Sequence, residues 1–284
     1  MAILVSLSSA LLTGYAKAAG PVLYVDDTNG NIGTVDLSTQ AVNILGNADT
    51  GTVHTNILTD IAFDSNGNLW GVNPAGNLYS LNKTTGAATL VGFTGVTTRL
   101  NALVGGKHGV LWAAANGDNN LYTINTSTGL ATTVANIGFS SVGDLAWVNG
   151  TLYESSDGTA AGNLLVAVDV STDKATEIGS MGITNVYGLA SDGTDTLYAV
   201  ANTQIYTVNL STAALTPVFN YGSSALSDSA GLAFVDESAG AGGGVTPPPP
   251  PPAVPLPASV WSGLSLLGGL GVFAFIRRRI AAFA

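Results

Sequence analysis

The chain has 284 residues, no cysteine and a formal net charge of −10. Disulfide staples, thiolate metal sites and cysteine nucleophiles are therefore excluded. All 18 acidic residues lie between Asp26 and Glu237, where only Lys83, Arg99, Lys107 and Lys174 are basic; a nucleic acid or an anionic bilayer surface would meet no cationic face there.

The N-terminus, residues 1–18, carries an apolar stretch from Ile3 to Leu12 and then Ala16-Lys17-Ala18. This pattern predicts a secretory signal peptide with an A-x-A cleavage site and a mature chain from Ala19.

Residues 19–237 repeat themselves. A leucine followed by an aromatic recurs at Leu23-Tyr24, Leu69-Trp70, Leu111-Trp112, Leu152-Tyr153 and Leu197-Tyr198, at spacings of 46, 42, 41 and 45. Each pair is followed by an alternating run that ends in Asn or Asp, such as Leu78-Tyr79-Ser80-Leu81-Asn82. A serine- and threonine-rich turn and a short apolar strand then close the unit. Period-two alternation bounded by Gly, Asn and Asp is the signature of strands and hairpins. The Asn or Asp that opens each turn is expected to accept backbone hydrogen bonds from the residues ahead.

Four strands per unit at a period near 42 predict propeller blades. The first unit, from Val22, lacks an innermost strand, and Gly231-Leu232-Ala233-Phe234-Val235 is such a strand with no unit behind it. The fold expected is thus all-β: a five-bladed β-propeller whose C-terminal strand completes the first blade. An open solenoid, or six blades with a degenerate one within Ala41 to Ile57, also fits the spacing. The repeats are similar to the secreted bacterial propellers loosely grouped with NHL and YVTN repeats, a likeness that implies architecture and no ligand.

Two histidines, His54 and His108, lie in unlike loops and do not form a catalytic pair. The Asp/Asn/Gly clusters at Asp26 to Asn31, Asp64 to Asn68 and Asn116 to Asn120 lack the Gly and Glu spacing of an EF-hand and suit tight hairpins instead. Asp60, Asn101 and Asp144 precede the innermost strands of three consecutive blades. There, three oxygens facing one mouth of the channel would suit calcium or a polar ligand. Gluconolactonase-like propellers place a metal in that region, with a glutamate-bearing set that this chain lacks. No cofactor is required by the sequence.

Residues 238–253 read as a Gly/Pro-rich linker that ends in six prolines, Pro247 to Pro252. An uncharged apolar run of 18 residues follows, Ser259 to Ile276, and then Arg277, Arg278 and Arg279. As a helix the run would be about 27 Å long, close to a ~30 Å hydrocarbon core. The arginines would hold the C-terminus in the cytoplasm and leave the body outside. The order of Val254-Pro255-Leu256-Pro257-Ala258, one apolar span and an arginine cluster resembles the PEP-CTERM sorting signal of Gram-negative bacteria over residues 254–284. The Pro-Glu-Pro core is replaced by a V-P-x-P-A variant. The resemblance implies cutting at the proline motif by an exosortase-type membrane enzyme.

The sequence thus predicts an exported, non-enzymatic propeller of the bacterial envelope or extracellular polymer matrix. It would be anchored transiently in the cytoplasmic membrane and then sit at the cell surface or beyond it. Its expected partners are the sorting enzyme, the membrane and extracellular polysaccharide. Two other classes fit the same chain. A metal-dependent lactonase-like or glycan-acting enzyme would need carboxylates and a histidine at the mouth, of which only the carboxylates are found. A lectin-like module would use Trp70, Trp112 and Trp147, whose apolar surroundings instead predict core packing.

Overall fold

A computed structural model describes residues 21–48, 57–159 and 161–241. The expected signal peptide, His54, the proline motif Val254 to Ala258, the span 259–276 and the arginines Arg277 to Arg279 lie outside the described residues. Among the described residues no helix is long and apolar enough to cross a membrane.

Twenty strands form five antiparallel four-stranded sheets. Blade 1 contains β1 (Val22–Asp27), β2 (Asn31–Asp36) and β3 (Val42–Asn47). Blade 2 contains β4 (Asp60–Phe63), β5 (Leu69–Val72), β6 (Asn77–Leu81) and β7 (Ala88–Phe93). Blade 3 has β8 (Arg99–Gly105), β9 (Leu111–Asn116), β10 (Asn120–Ile124) and β11 (Ala131–Asn136). Blade 4 has β12 (Ser141–Val148), β13 (Thr151–Thr159), β14 (Gly162–Asp169) and β15 (Lys174–Ser180). Blade 5 has β16 (Val186–Ser191), β17 (Leu197–Ala201), β18 (Gln204–Val208) and β19 (Leu215–Asn220). The last strand, β20 (Ser229–Phe234), pairs antiparallel with β1, so blade 1 has the order β20-β1-β2-β3. The ring has five blades and is closed by the C-terminal strand. Val42–Asn47, a segment considered for a sixth blade, is the outer strand of blade 1.

The sheets bury both faces, and the core is five apolar layers, one at each blade–blade boundary. Ile61 and Phe63 pack with Ile32 and Ala233 of blade 1, whereas Ala62 between them packs with Leu100 and Leu103 of blade 3. Alternation along an inner strand therefore serves two neighbours at once, which is why these segments read as continuous apolar runs. Trp70 and Trp147 are buried, and Trp147 meets Trp112 edge to face with centroids 5.7 Å apart. Packing, rather than display, accounts for all three tryptophans.

The turns behave as their residues dictate. Asp36, Asn82, Asn125 and Asn209 each accept, on Oδ1, the N–H groups two and three residues ahead at 2.8–3.1 Å, and Asp169 accepts that of Ser171 at 2.9 Å. Asp27 and Asp64 cap the turns at the other end in the same manner, Asp27 from Asn29 and Asn31 and Asp64 from Asn66 and Asn68. The Asp/Asn/Gly clusters are thus hairpin turns. Each outer strand carries a bulge at the same point of the repeat, which twists the exposed edge away from pairing with another chain.

The linker expected from Ser238 starts later than the composition suggests. Glu237–Ala241 forms a short 3-10 turn, and Glu237, Ser238, Gly240 and Ala241 are buried in it. The Gly150 N–H donates to the Gly240 carbonyl, and Gly240 lies against the Trp147 carbonyl, too close for a Cβ. Small residues are needed there because backbone meets backbone. The Glu237 carboxyl accepts the N–H of Phe63 at 2.7 Å and that of Phe234 at 3.0 Å, joining blades 1 and 2 at the lower end of the ring. Glu237→Ala orphans two buried donors and should cost about 3 kcal/mol in urea unfolding. Glu237→Gln, which keeps one acceptor, should cost clearly less.

Candidate functional site at the ring mouth

The inner strands begin at the upper end of the ring, and they begin irregularly. In β8, Leu100 and Ala102 oppose consecutive residues of β9, so Asn101 is extra. In β12, the segment Val142 to Asp144 lies between Ser141 and Leu145, which oppose Ser156 and Glu154. Tyr187 is extra in β16, and Ala230 is extra in β20. In blade 2 the Thr59 N–H bonds the carbonyl of Val72, the residue already opposite Asp60. A bulge of this kind turns a side chain out of the ladder and re-aims it.

The re-aimed residues share one place. A cavity of about 280 Å³ at the mouth is lined by Thr59, Asn101, Val142, Gly143, Tyr187 and Ala230, with Thr28, Arg99 and Asn116 from the rim. Every blade contributes. The sequence repeat could not disclose this, because a bulge is an exception to period two.

The same strand starts carry the residues that the blade alignment singled out. The five equivalent positions are Asp60, Asn101, Asp144, Gly188 and Gly231 around the ring. Asp60 Oδ2 accepts the Leu103 N–H of blade 3 at 2.6 Å, and Asp144 Oδ2 accepts the Leu189 N–H of blade 5 at 2.7 Å. Asn101 Nδ2 donates to the Ser141 carbonyl of blade 4 at 3.3 Å. Each side chain is therefore turned toward the next blade and fastens it. The Asp60 and Asp144 carboxyls lie near enough to each other for each to perturb the other's ionisation. A Cβ on Gly231 would stand 2.1 Å from Asp60 Oδ1 and 2.8 Å from Asp26 Oδ1, so glycine makes the room that the two carboxyls occupy. Three oxygens converging on a cation are the expectation for this level of the ring; in the structure Asp60 and Asp144 accept backbone N–H groups and Asn101 donates to blade 4. Among the described residues no group of three or more His, Cys, Asp and Glu is arranged to hold a metal ion.

Two acids were missed by the sequence reading. Asp26 and Glu154 are almost wholly buried, and no hydrogen-bond partner reaches their carboxylate oxygens. Both sit in second strands at positions that are apolar or small in most other blades, a departure from the repeat that could have flagged them. Burial pushes Asp26 up to about 7 and Glu154 up to about 8. It also lifts Asp60, Asp144 and Glu237 well above the usual carboxylate range; for Asp60 the Asp144 charge adds to the effect. Burial therefore favours the protonated form of each of these acids.

A carboxyl that keeps its proton when folded gives it up on unfolding once the pH exceeds about 4. Folding then binds protons, and stability falls as pH rises. The contribution is complete below about pH 4, declines through neutrality, and for Asp26 and Glu154 is lost by about pH 7 and 8 respectively. Denaturant midpoints measured between acid and mildly alkaline pH should decrease steadily, and Asp26→Asn should flatten the part of the profile below neutrality.

No protein-family model matches the chain, and no curated protein matches it. Several solved structures give partial, low-identity matches. The propeller resembles a chain in the crystal structure of a nidogen/laminin complex, with 10% identity and a TM-score of 0.49 over 76% of this chain and 98% of that one. A gluconolactonase of Xanthomonas campestris gives 14% identity and a TM-score of 0.47 over 71% and 77% of the two chains. Virginiamycin B lyase from Staphylococcus aureus gives 15% identity and a TM-score of 0.43 over 72% and 71%.

Proposed function

We propose that this chain is an exported, non-enzymatic binding propeller of a bacterial envelope or extracellular matrix, and that the ring mouth is its recognition site for a polar, hydroxylated component found there. The observation that carries the reading is the set of bulges. Irregular starts in all five blades supply the lining of one cavity, while the rest of each blade keeps the repeat. Beside Val142 and Ala230 the lining residues carry amide, hydroxyl, phenol and guanidinium groups, which suit a ligand with both hydroxyls and an apolar face. Asp60 and Asp144 are committed to inter-blade bonds, which supports binding over hydrolysis.

Export and display rest on the sequence at the two ends. The signal-like residues 1–18 would send the chain out, and the apolar run 259–276 with Arg277 to Arg279 would hold it in the cytoplasmic membrane, body outside. The Val254–Ala258 motif would then be cut by an exosortase-type enzyme, releasing the propeller to the surface or the medium. Mass spectrometry of the mature chain should find its C-terminus near Pro257 or Ala258. Recovery of the mature protein with Arg277 to Arg279 intact would overturn processing and leave a plain membrane anchor.

A further inference from the structure

Blade 5 departs from the repeat at a second place, on the rim between it and blade 4. The third strands of blades 2, 3 and 5 carry a tyrosine at one equivalent position: Tyr79, Tyr122 and Tyr206. In blades 2 and 3 the hairpin ahead of that strand covers the ring. Asn73 Nδ2 donates to the Tyr79 hydroxyl at 3.3 Å, the Tyr122 hydroxyl donates to Asp118 Oδ2 at 2.8 Å, and the two tyrosines are 5% and 8% exposed. Those hairpins have four and three residues between their strands, whereas that of blade 5 has two, Asn202 and Thr203. Too short to reach back, it leaves Tyr206 half-buried, with a hydroxyl that bonds no described residue and is not sealed from solvent.

An open recess of about 420 Å³ takes up the space. Gln204 faces Asn220 across β18 and β19, and Tyr206 follows Gln204 by two residues, so the three side chains lie on one face of the blade. Each amide is held by one end. Asn220 Oδ1 accepts the Gly222 N–H at 2.8 Å, and Gln204 Nε2 donates to the Ile205 carbonyl at 2.9 Å. A backbone N–H only donates and a carbonyl only accepts, so Asn220 offers Nδ2 as a donor and Gln204 offers Oε1 as an acceptor. Neither free end has a partner among the described residues, and neither residue is buried. Ile183 and the Tyr206 ring supply an apolar wall, and the lining bears no charged group. A charged ligand would lose hydration there with no counter-charge to replace it. A hydroxyl, which donates and accepts at once, serves both amides.

We infer that this rim binds a neutral hexopyranose unit of a polysaccharide. One ring hydroxyl accepts from Asn220 Nδ2 and donates to Gln204 Oε1, a second meets the Tyr206 hydroxyl, and the C–H face of the sugar lies on the tyrosine ring. No residue lines both this recess and the ring mouth, so the rim is a second site that stands or falls apart from the first.

The test is titration calorimetry on the detergent-solubilised full chain with neutral trisaccharides of glucose, galactose and mannose, and with a galacturonate trisaccharide as competitor. At least one neutral trisaccharide should bind. Tyr206→Phe keeps the packed ring and should weaken that binding about two- to tenfold, the loss of one neutral hydrogen bond. Thr184→Trp, at an exposed bend that lines the recess, should fill it and abolish binding. The galacturonate trisaccharide should displace the neutral ligand only at about tenfold higher concentration, for want of a counter-charge. Displacement at equal concentration would overturn the neutral class. Binding that survives Thr184→Trp would overturn the rim site, and its loss with Tyr187→Ala would then place the sugar at the mouth. If no neutral trisaccharide binds, the rim inference is overturned, while the mouth, built of other residues, keeps its own reading.

Discussion

The pairing of β20 with β1 is the constraint on which everything else depends. Leu23 opposes Phe234 and Asp26 opposes Gly231 across almost the whole length of the body. Without that pairing blade 1 lacks its inner strand, and two of the five apolar layers lose their inner wall. Closing so long a loop is less costly than it looks, because the entropy grows only with the logarithm of length, about 0.6 kcal/mol per doubling. The return is two buried layers, set by Leu232 and Phe234 on one side and Ala233 on the other. Alternation along one short strand thus welds the first blade to both of its neighbours.

Closure creates a difficulty at the axis, and acidic side chains resolve it. The inner strand of each blade is a sheet edge, so part of its backbone N–H groups point into the channel and require acceptors. Asp60 and Asp144 supply them to Leu103 and Leu189, and Glu237 supplies them to Phe63 and Phe234. An apolar filling would leave those donors bare. Water would need more space than five converging strands leave. Carboxyls are compact and accept at two oxygens, and at these positions they cross from blade to blade. The consequence is a set of buried acids whose ionisation folding suppresses, and hence a body steadier in acid than in alkali.

The repeat was legible because it is a packing requirement. Each blade must present apolar residues on both faces and cap its turns, so the Leu-aromatic pair and the Asn or Asp turns recur and give away both the strand order and the closure. The mouth was legible only in part. Aligning blades brought Asp60, Asn101 and Asp144 to one level, and the structure does place them there. Their direction, toward the next blade, depends on which amides are unpaired, and that is a property of the assembled ring. Asp26 and Glu154 escaped notice because each stands alone among apolar or small counterparts, where no spacing rule operates. The 3-10 turn at Glu237 was hidden for another reason: Ser-Ala-Gly-Ala-Gly composition is that of a linker, and only the closeness of backbone around Gly240 turns smallness into a packing need.

A symmetric ring has no reason to prefer one ligand over another, since five equal walls offer five equal sets of groups. Specificity at the mouth must come from departures from the repeat, and here they are concentrated in the residues that start the inner strands. Three of the five equivalent positions bear polar side chains and two bear glycine; Gly231 leaves room for the Asp60 and Asp26 carboxyls, and Gly188 for Leu232 and Val200. The lining changes from blade to blade: threonine, an arginine with an asparagine, valine and glycine, tyrosine, alanine. The asymmetry puts the guanidinium of blade 3 and the aromatic ring of blade 5 at one cavity. The outer parts of the blades obey the repeat because they must pack, whereas the inner starts differ from blade to blade as each fastens its own neighbour and lines the cavity. A binding site is therefore expected where the repeat fails while the fold still holds, and in this ring those places are the mouth and the blade 5 rim.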